Sequence, residues 1–153
     1  MTKQATEAVA AFDLDELAAI DQAELEIKRR DGSPTGWKWF IAGPGHPQTV
    51  ELSNRISRES LARQKAQEMA RVNGKKWKGD DETADEVLRR TAETFAGRII
   101  GWTPITMNGE PYPFSNENAV KLLMDPARGD TLISQLGEFI GDEKSFMKRS
   151  EIG

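Results

Sequence analysis

The sequence predicts an α+β fold in which one or two antiparallel β-hairpins pack against about four α-helices, with a flexible N-terminal arm. Apolar and polar residues alternate around Leu25 and again around Trp39, which is typical of half-buried strands. Between them lies DGSPTG, a run of turn-forming residues, and much of the later sequence has helix caps and helical apolar spacing. We expect residues 1–20 to form the acidic arm, residues 21–146 a single domain and residues 147–153 a polar tail.

The arm carries a few regularly spaced apolar residues. Phe12, Leu14, Leu17 and Ile20 recur at near-helical spacing between acidic residues. So few apolar anchors make an isolated helix marginal in water. Two interpretations stay open: a short amphipathic helix, or a frayed arm that becomes ordered only against a partner.

The first hairpin ends in GWKWFIAGPGHPQTVEL, residues 36–52, which is the most aromatic stretch of the chain. Period-two alternation places Trp37, Trp39 and Ile41 on one strand face, where we expect them to tie the hairpin to the helices. Phe40 points to the other face. The GPGHP segment that follows is predicted to be a turn, built on Gly43, Pro44 and Pro47.

A long helix is predicted from Thr49, which can cap it, to Gly74, which stops it. Its apolar residues form only a thin stripe: Val50, Ile56, Leu61, Met69 and Val72. Such a helix either lies on the surface or buries its stripe in a partner.

Three further helices are predicted from capping residues. Thr83, with Glu86 three residues later, opens a helix that runs to Gly101. Ser115 and Asp130 are predicted to cap the other two. The expected core-facing residues of the first and last of these helices are Leu88, Ala92, Phe95, Ile99, Leu132, Ile133, Leu136, Phe139 and Ile140.

Between these helices, Trp102 begins an extended segment that ends near Phe114. Asn108 and Gly109 form a strong two-residue turn signal within it, which predicts a second small hairpin. We expect Trp102 to lie in the core with Trp37 and Trp39, and the alternative for these three tryptophans is a binding patch. Phe146 is the one expected anchor near the polar tail.

The residue types that carry reaction chemistry do not form a recognisable motif. The chain has no cysteine and one histidine, His46, so thiolate catalysis is excluded and a Ser–His pair or a histidine-containing metal cluster has little to draw on. We expect this loop histidine to cap a helix start or to contact solvent. We expect no catalytic, metal-binding or cofactor-binding residues, no cofactor and no enzymatic activity. Phe40, His46 and Trp77 are candidate protein-contact residues instead.

Charge and hydropathy narrow the class of partner. The net charge of −4 disfavours nucleic acid, although Lys75, Lys76 and Lys78 around Trp77 could grip a phosphate backbone and stack a base. The alternative for this run is a solvated loop. No stretch has the roughly 20 apolar residues of a membrane-spanning helix, and no signal peptide is evident, so we expect a cytoplasmic protein without a membrane partner.

Two stretches resemble bacteriophage tail assembly chaperones and related proteins of long-tailed phages. The first is FIAGPGHPQTVELSNRI, a strand that runs through a GP-x-HP turn into a helix. The second is IIGWTPITMNGEPYPFSNENAVKLLMDPARGDTLISQLGEFIGDEKSF, where a tryptophan opens an extended segment, an NGE turn leads to PFS-x-EN, and two short helices follow. The resemblance covers roughly residues 23–52 and 96–146, and its motifs are structural.

This resemblance implies a non-enzymatic role in the host cytoplasm. Proteins of this kind bind the long helical tape-measure protein, keep it soluble and help to recruit tail-tube subunits during tail assembly. Self-association of the chain stays open. Two alternatives also stay open: a structural virion component, such as a minor tail or head–tail protein, and a phage nucleic-acid-binding accessory protein.

Overall fold

The computed structural model describes residues 10–76 and 82–147 and has the predicted α+β class. Three antiparallel strands form a sheet in the order β1-β2-β3, namely β1 (Gln22–Lys28), β2 (Pro34–Ala42) and β3 (Ile99–Trp102). A second hairpin consists of β4 (Thr106–Met107) and β5 (Glu110–Pro111). The described residues also contain four α-helices: α1 (Pro47–Val72), α2 (Ala84–Ala96), α3 (Asn116–Leu123) and α4 (Gly129–Gly141). Two 3-10 helices are Leu14–Leu17 and Glu143–Phe146.

The first hairpin is confirmed, but its turn is shorter than predicted. β2 already begins at Pro34, which pairs with Lys28 beyond a register shift that leaves the extra residues on β2. Proline is compatible with this place because it is the first residue of the strand. The turn is closed by the Arg29 N–H, which donates to the Ser33 carbonyl over 2.8 Å, and Gly32 supplies the positive φ of 88°.

The tryptophans lie in the core, as predicted. Trp39 and Ile41 have no exposed surface, Trp102 is buried, and Trp37 is partly buried against the same cluster. Trp39 lies opposite Trp102 in the β2–β3 register. The ring centroids of Trp37 lie 5.2 Å from those of Trp39 and 5.6 Å from those of Trp102, both in edge-on geometry. This cluster joins the sheet to the covering helices.

The second hairpin is confirmed and folds onto Trp102. Asn108 and Gly109 have φ angles of 55° and 80°, the two positive values that a type I′ turn requires. The Trp102 indole stacks on Tyr112 and donates from Nε1 to the Tyr112 carbonyl over 3.3 Å. Phe114 meets the same indole edge-on at 5.0 Å. The hairpin therefore closes one end of the tryptophan cluster.

Two caps are confirmed and two are corrected. Thr83 Oγ1 accepts from the Glu86 N–H at 3.2 Å, and Ser115 Oγ accepts from the Asn118 N–H at 3.0 Å, as predicted. Thr49 is not a cap, since α1 begins two residues earlier at Pro47. Asp130 is not a cap either, because it lies inside the first turn of α4 and makes no capping hydrogen bond.

The predicted helix from Thr83 to Gly101 was too long. It ends at Ala96, and Ile99 lies on β3, the third strand of the sheet, where it is buried. Arg98 lies between the end of this helix and the start of β3. Its guanidinium donates from Nε and Nη2 to the Ala42 carbonyl of β2, at 3.0 and 2.8 Å. Leu88 is exposed rather than core-facing, as are all the residues of the first half of α2, from 84 to 90. Ala92 is buried as predicted.

α4 covers the sheet through its buried Leu132 and Leu136, while Ile133, Phe139 and Ile140 are partly buried. Gln135 fixes its position on β1: its Oε1 accepts from the Lys28 N–H at 2.8 Å and its Nε2 donates to the Lys28 carbonyl at 3.0 Å. Phe146 is confirmed as an anchor, since it is buried and its ring centroid lies 5.5 Å from that of Phe139.

Asp130 binds Arg30 of the first hairpin turn, with two hydrogen bonds of 2.8 and 3.1 Å from the guanidinium. This hydrogen bonding, together with a hydrogen bond from the Thr131 N–H, lowers the pKa of Asp130 from 3.8 to about 2.

In Arg30→Ala we expect the Asp130 pKa to rise toward its ordinary value, because the hydrogen bond from Arg30, the largest cause of the lowered pKa, is removed. Carboxyl titration by NMR measures this, and an unchanged pKa would contradict the pairing. The lowered pKa adds stability above pH 4, which is lost as the pH falls toward 2.

Candidate protein-interaction surface

α1 begins in a tight turn that the GPGH sequence builds. The His46 N–H donates to the Gly43 carbonyl at 3.1 Å, which places Pro44 at the second position of the turn, where its fixed φ is favourable. His46 then caps α1, since its Nδ1 accepts from the Gln48 N–H at 3.0 Å. Pro47 occupies the first helical position, where no N–H is needed. The only histidine is thus used as a helix cap.

Replacing His46 with alanine is expected to lower the free energy of unfolding by about 0.5–2 kcal/mol, the usual cost of losing an N-cap. His46→Asn is the matched control, because asparagine can accept the same hydrogen bond. Urea unfolding measures both. Equal losses in the two variants would show that the imidazole contributes through other contacts.

The start of α1 is held to the domain by its inner side. The Gln48 Nε2 donates to the carbonyls of Gly97 and Ile99 at 2.7 and 2.8 Å. Leu52 is buried against Gly97, where a Cβ would lie 3.0 Å from the leucine side chain. One turn further, Ile56 and Phe95 of α2 line a shallow cleft of about 290 Å³.

Farther along, the inner side of α1 is held by charge. Arg63 lies 2.9 Å from Glu82, just before α2, and Arg90 of α2 binds the same carboxylate. The hydrogen bond from Arg90, together with the charges of both guanidinium groups, lowers the pKa of Glu82. Only Thr49 and Leu52 of α1 are buried, so this long helix extends from the sheet with little apolar contact to it.

The other side of α1 carries four exposed apolar residues, which we call the outer α1 face: Val50, Leu61, Met69 and Val72. Leu61 follows Val50 by 11 residues, and Val72 follows Leu61 by 11. Because each residue turns the helix by 100°, each of these side chains points within about 20° of the one before it. Leu61 is 59% exposed and Val72 69% exposed. The predicted stripe therefore divides in two, because Ile56, which is itself 41% exposed, lies toward α2 whereas the outer α1 face lies on the other side of the helix.

α1 ends in a glycine-based cap. Gly74 has a φ of 68°, its N–H donates to the Arg71 carbonyl at 3.2 Å, and the Lys75 N–H donates to the Ala70 carbonyl at 2.8 Å. Lys75 and Lys76 are exposed just beyond this end, where the negative end of the helix dipole favours cations. Trp77 and Lys78 lie outside the described residues, so the predicted contact at Trp77 stays a prediction.

The remaining predicted contact residue, Phe40, is half-buried on the face of the sheet opposite to the tryptophans. It pairs with Gly101 across β2 and β3, and a Cβ at Gly101 would lie 3.8 Å from the Phe40 ring. Phe40 therefore covers the gap that the glycine leaves in the sheet. Phe40 and His46 both have local structural roles, whereas the outer α1 face is the larger apolar surface.

The sequence predicts the apolar stripe of α1, but the predicted contact residues include none of the outer α1 face. Within residues 10–76 and 82–147, no three His, Asp or Glu side chains are grouped so as to hold a metal ion. In the same part of the chain, no helix combines the length and apolarity needed to cross a bilayer.

Comparison of the chain with protein-family models, with curated proteins and with solved structures gave no match. The resemblance to tail assembly chaperones therefore stays a prediction, based on the turn and capping motifs of the sequence.

Proposed function

We propose that this protein is a non-enzymatic assembly chaperone of a long-tailed phage, which holds an amphipathic helical segment of the tape-measure protein on its outer α1 face. The observation that carries the proposal is this face itself: a 26-residue helix that presents Val50, Leu61, Met69 and Val72 to solvent. Val50, Leu61 and Val72 follow one line along the helix, and helical partners are commonly bound by apolar side chains arranged in this way. The sequence resemblance supports the same role.

The spacing of the anchors favours a long helical partner. Val50 and Val72 are separated by 22 residues, which is about 33 Å along a helix axis at 1.5 Å per residue. A short peptide would reach only one anchor, or two neighbouring ones. A partner helix must therefore continue for about six turns to contact the whole face. Tape-measure proteins, which the resemblance implies as partners, are long and helical.

The small number of anchors favours reversible binding. The four apolar residues are separated by polar and charged ones, such as Asn54, Arg58 and Lys65. A contact of this kind buries little apolar surface, and permanent assemblies usually bury much more. A chaperone has to release its client, so a weakly apolar face suits transient binding. Recruitment of tail-tube subunits belongs to the same proposal.

The double variant Leu61→Ser, Val72→Ser tests this surface. Both side chains are exposed, so we expect the free energy of unfolding to change by no more than about 0.5 kcal/mol per site, apart from helix propensity. Binding of the purified tape-measure protein encoded with this chain is expected to weaken by at least tenfold, since two apolar anchors are lost. Isothermal titration calorimetry measures the affinity.

Gln67→Ser is the matched control, because it places serine at an exposed polar position elsewhere on the same helix. It should bind the tape-measure protein as the wild type does. Equal affinity in the double variant and the control would contradict a role for the outer α1 face. Failure of the wild-type chain to bind the tape-measure protein would contradict the proposed function itself.

A further inference from the structure

The N-terminal arm contains an acidic, apolar segment that the domain leaves uncovered. This arm segment, residues 12–17, has the sequence FDLDEL and three carboxylates without a basic residue. Leu14 and Leu17 are 72% and 73% exposed, and Phe12 is also exposed. Both leucines lie in a 3-10 helix, in which residues three apart share one side. Asp13 stabilises this turn, since its Oδ1 accepts from the Asp15 N–H at 3.0 Å.

The domain has a cleft whose chemistry is complementary to this segment. It lies between the first hairpin turn, β4 and the start of α4, with a volume of about 560 Å³. This is within the range of ordinary ligand-binding clefts. Its apolar side chains include Ile27, Trp37, Ile105, Met107, Leu122 and Leu132.

The charged residues that line this cleft are all basic: Lys28, Arg29, Arg30 and Arg128. We call it the basic cleft. Three of the cations have carboxylate partners nearby: Lys28 with Glu26, Arg30 with Asp130 and Arg128 with Asp125. Among the described residues Arg29 makes no ion pair within 4 Å, although its charge acts on the nearby Asp31 carboxylate and helps to lower the Asp31 pKa. Its guanidinium donates to the Pro34 carbonyl and to Ser33 Oγ. In a chain with a net charge of −4, such a rim is suited to an acidic occupant.

The arm segment cannot place both of its leucines in the basic cleft of its own chain. Ile20 and Asp21 fix the end of the arm: the Ile20 N–H donates to the Phe146 carbonyl at 2.9 Å, and the Asp21 carbonyl accepts from the Gly43 N–H at 2.7 Å. The basic cleft lies at the opposite end of β1, about 20 Å away at 3.3 Å per residue. Leu17 is three residues from Ile20 and reaches at most about 11 Å.

We propose that the arm segment of one copy docks in the basic cleft of a second copy, with Leu14 and Leu17 on the apolar floor and Asp15 and Glu16 near the basic rim. The chain thereby forms a homo-oligomer through exchanged arms. This contact uses neither the outer α1 face nor a phage partner, so it stands apart from the proposed function.

Analytical ultracentrifugation of the 153-residue chain over a range of concentrations tests this proposal. The wild type is expected to self-associate. The double variant Leu14→Ser, Leu17→Ser is expected to weaken association by more than tenfold, because it removes the two leucines that the contact buries. The control Leu88→Ser removes another exposed leucine, on α2, which neither proposal uses, and should associate as the wild type does. A wild-type chain that stays monomeric overturns the proposal, as does loss of association in the control alone.

A charge exchange distinguishes this contact from nonspecific apolar association. Glu16→Lys and Arg29→Glu should each weaken association, and the two changes combined in one chain should restore it in part, since each copy then carries a basic arm and an acidic rim residue. Added salt should weaken the wild-type contact. If the combined variant recovers none of the lost association, the arm segment does not contact Arg29 of the basic cleft, and the proposal is wrong. Circular dichroism of each variant checks that the fold is kept.

Discussion

Trp39→Ala is expected to lower the free energy of unfolding by about 3–5 kcal/mol, the usual cost of truncating a large buried aromatic. Trp39 has no exposed surface and contacts Trp37 and Trp102, so its removal leaves a cavity where the sheet meets the helices. For a chain of this size such a loss is a large part of the total stability. Urea unfolding followed by circular dichroism measures it.

Trp39→Phe is the matched variant for this site. The Trp39 Nε1 is buried without a hydrogen-bond partner among the described residues, so phenylalanine removes a poorly satisfied donor while it keeps an aromatic ring. We expect its cost to be well below that of alanine. If the two variants lost the same stability, the aromatic packing of this cluster would not be what holds the sheet to the helices.

The second large effect is expected for Gly43→Ala, in the turn that precedes α1. A Cβ at this position would lie 2.1 Å from the Ile20 carbonyl oxygen and 3.2 Å from that of Asp21. Both atoms are backbone, so the strand end has to move and the hydrogen bond from the Gly43 N–H to Asp21 is distorted. We expect a loss of about 1–3 kcal/mol from overpacking, and faster hydrogen exchange at Ile20.

Gly45→Ala is the control for this turn, because a Cβ there meets no atom within 4 Å. Its stability should equal that of the wild type or exceed it slightly, since alanine restricts the unfolded chain. Thermal unfolding of the two variants side by side gives the comparison. A Gly43→Ala protein as stable as Gly45→Ala would mean that the arm is not held against this turn.

Much of the fold followed from local sequence signals. The period of two around Trp39, the Asn108–Gly109 turn and the caps at Thr83 and Ser115 each depend on residues close in sequence, and the structure has all of them. The burial of the tryptophans followed from the alternation in β2. Such signals are local, so a single sequence can carry them.

The wrong predictions concern positions whose local structure depends on contacts with residues far away in the sequence. Asp130 has the chemistry of a cap, but Arg30, 100 residues earlier, binds its carboxylate in the folded chain. The helix after Thr83 was extended through Ile99 because the apolar spacing continues, whereas pairing with β2 makes that segment a strand. Gly97 was the local signal for the earlier helix end.

The sequence predicts only part of the candidate interaction surface. The thin stripe of α1 indicated a helix with few core contacts, but not which of its residues face α2. The structure places Ile56 in a cleft beside Phe95 on one side of α1, and the outer α1 face on the other side. That division depends on how α1 leaves the GPGH turn, which sequence periodicity does not specify. The basic cleft was not predicted, because its lining comes from four separate parts of the chain.

The most direct test of the proposed function is quantitative mass spectrometry of this protein in lysates of infected cells and in purified virions from the same culture. An assembly chaperone that releases its client is expected to be abundant in the lysate and absent from the virions. A fixed copy number in every virion would contradict the chaperone role and make this chain a structural component.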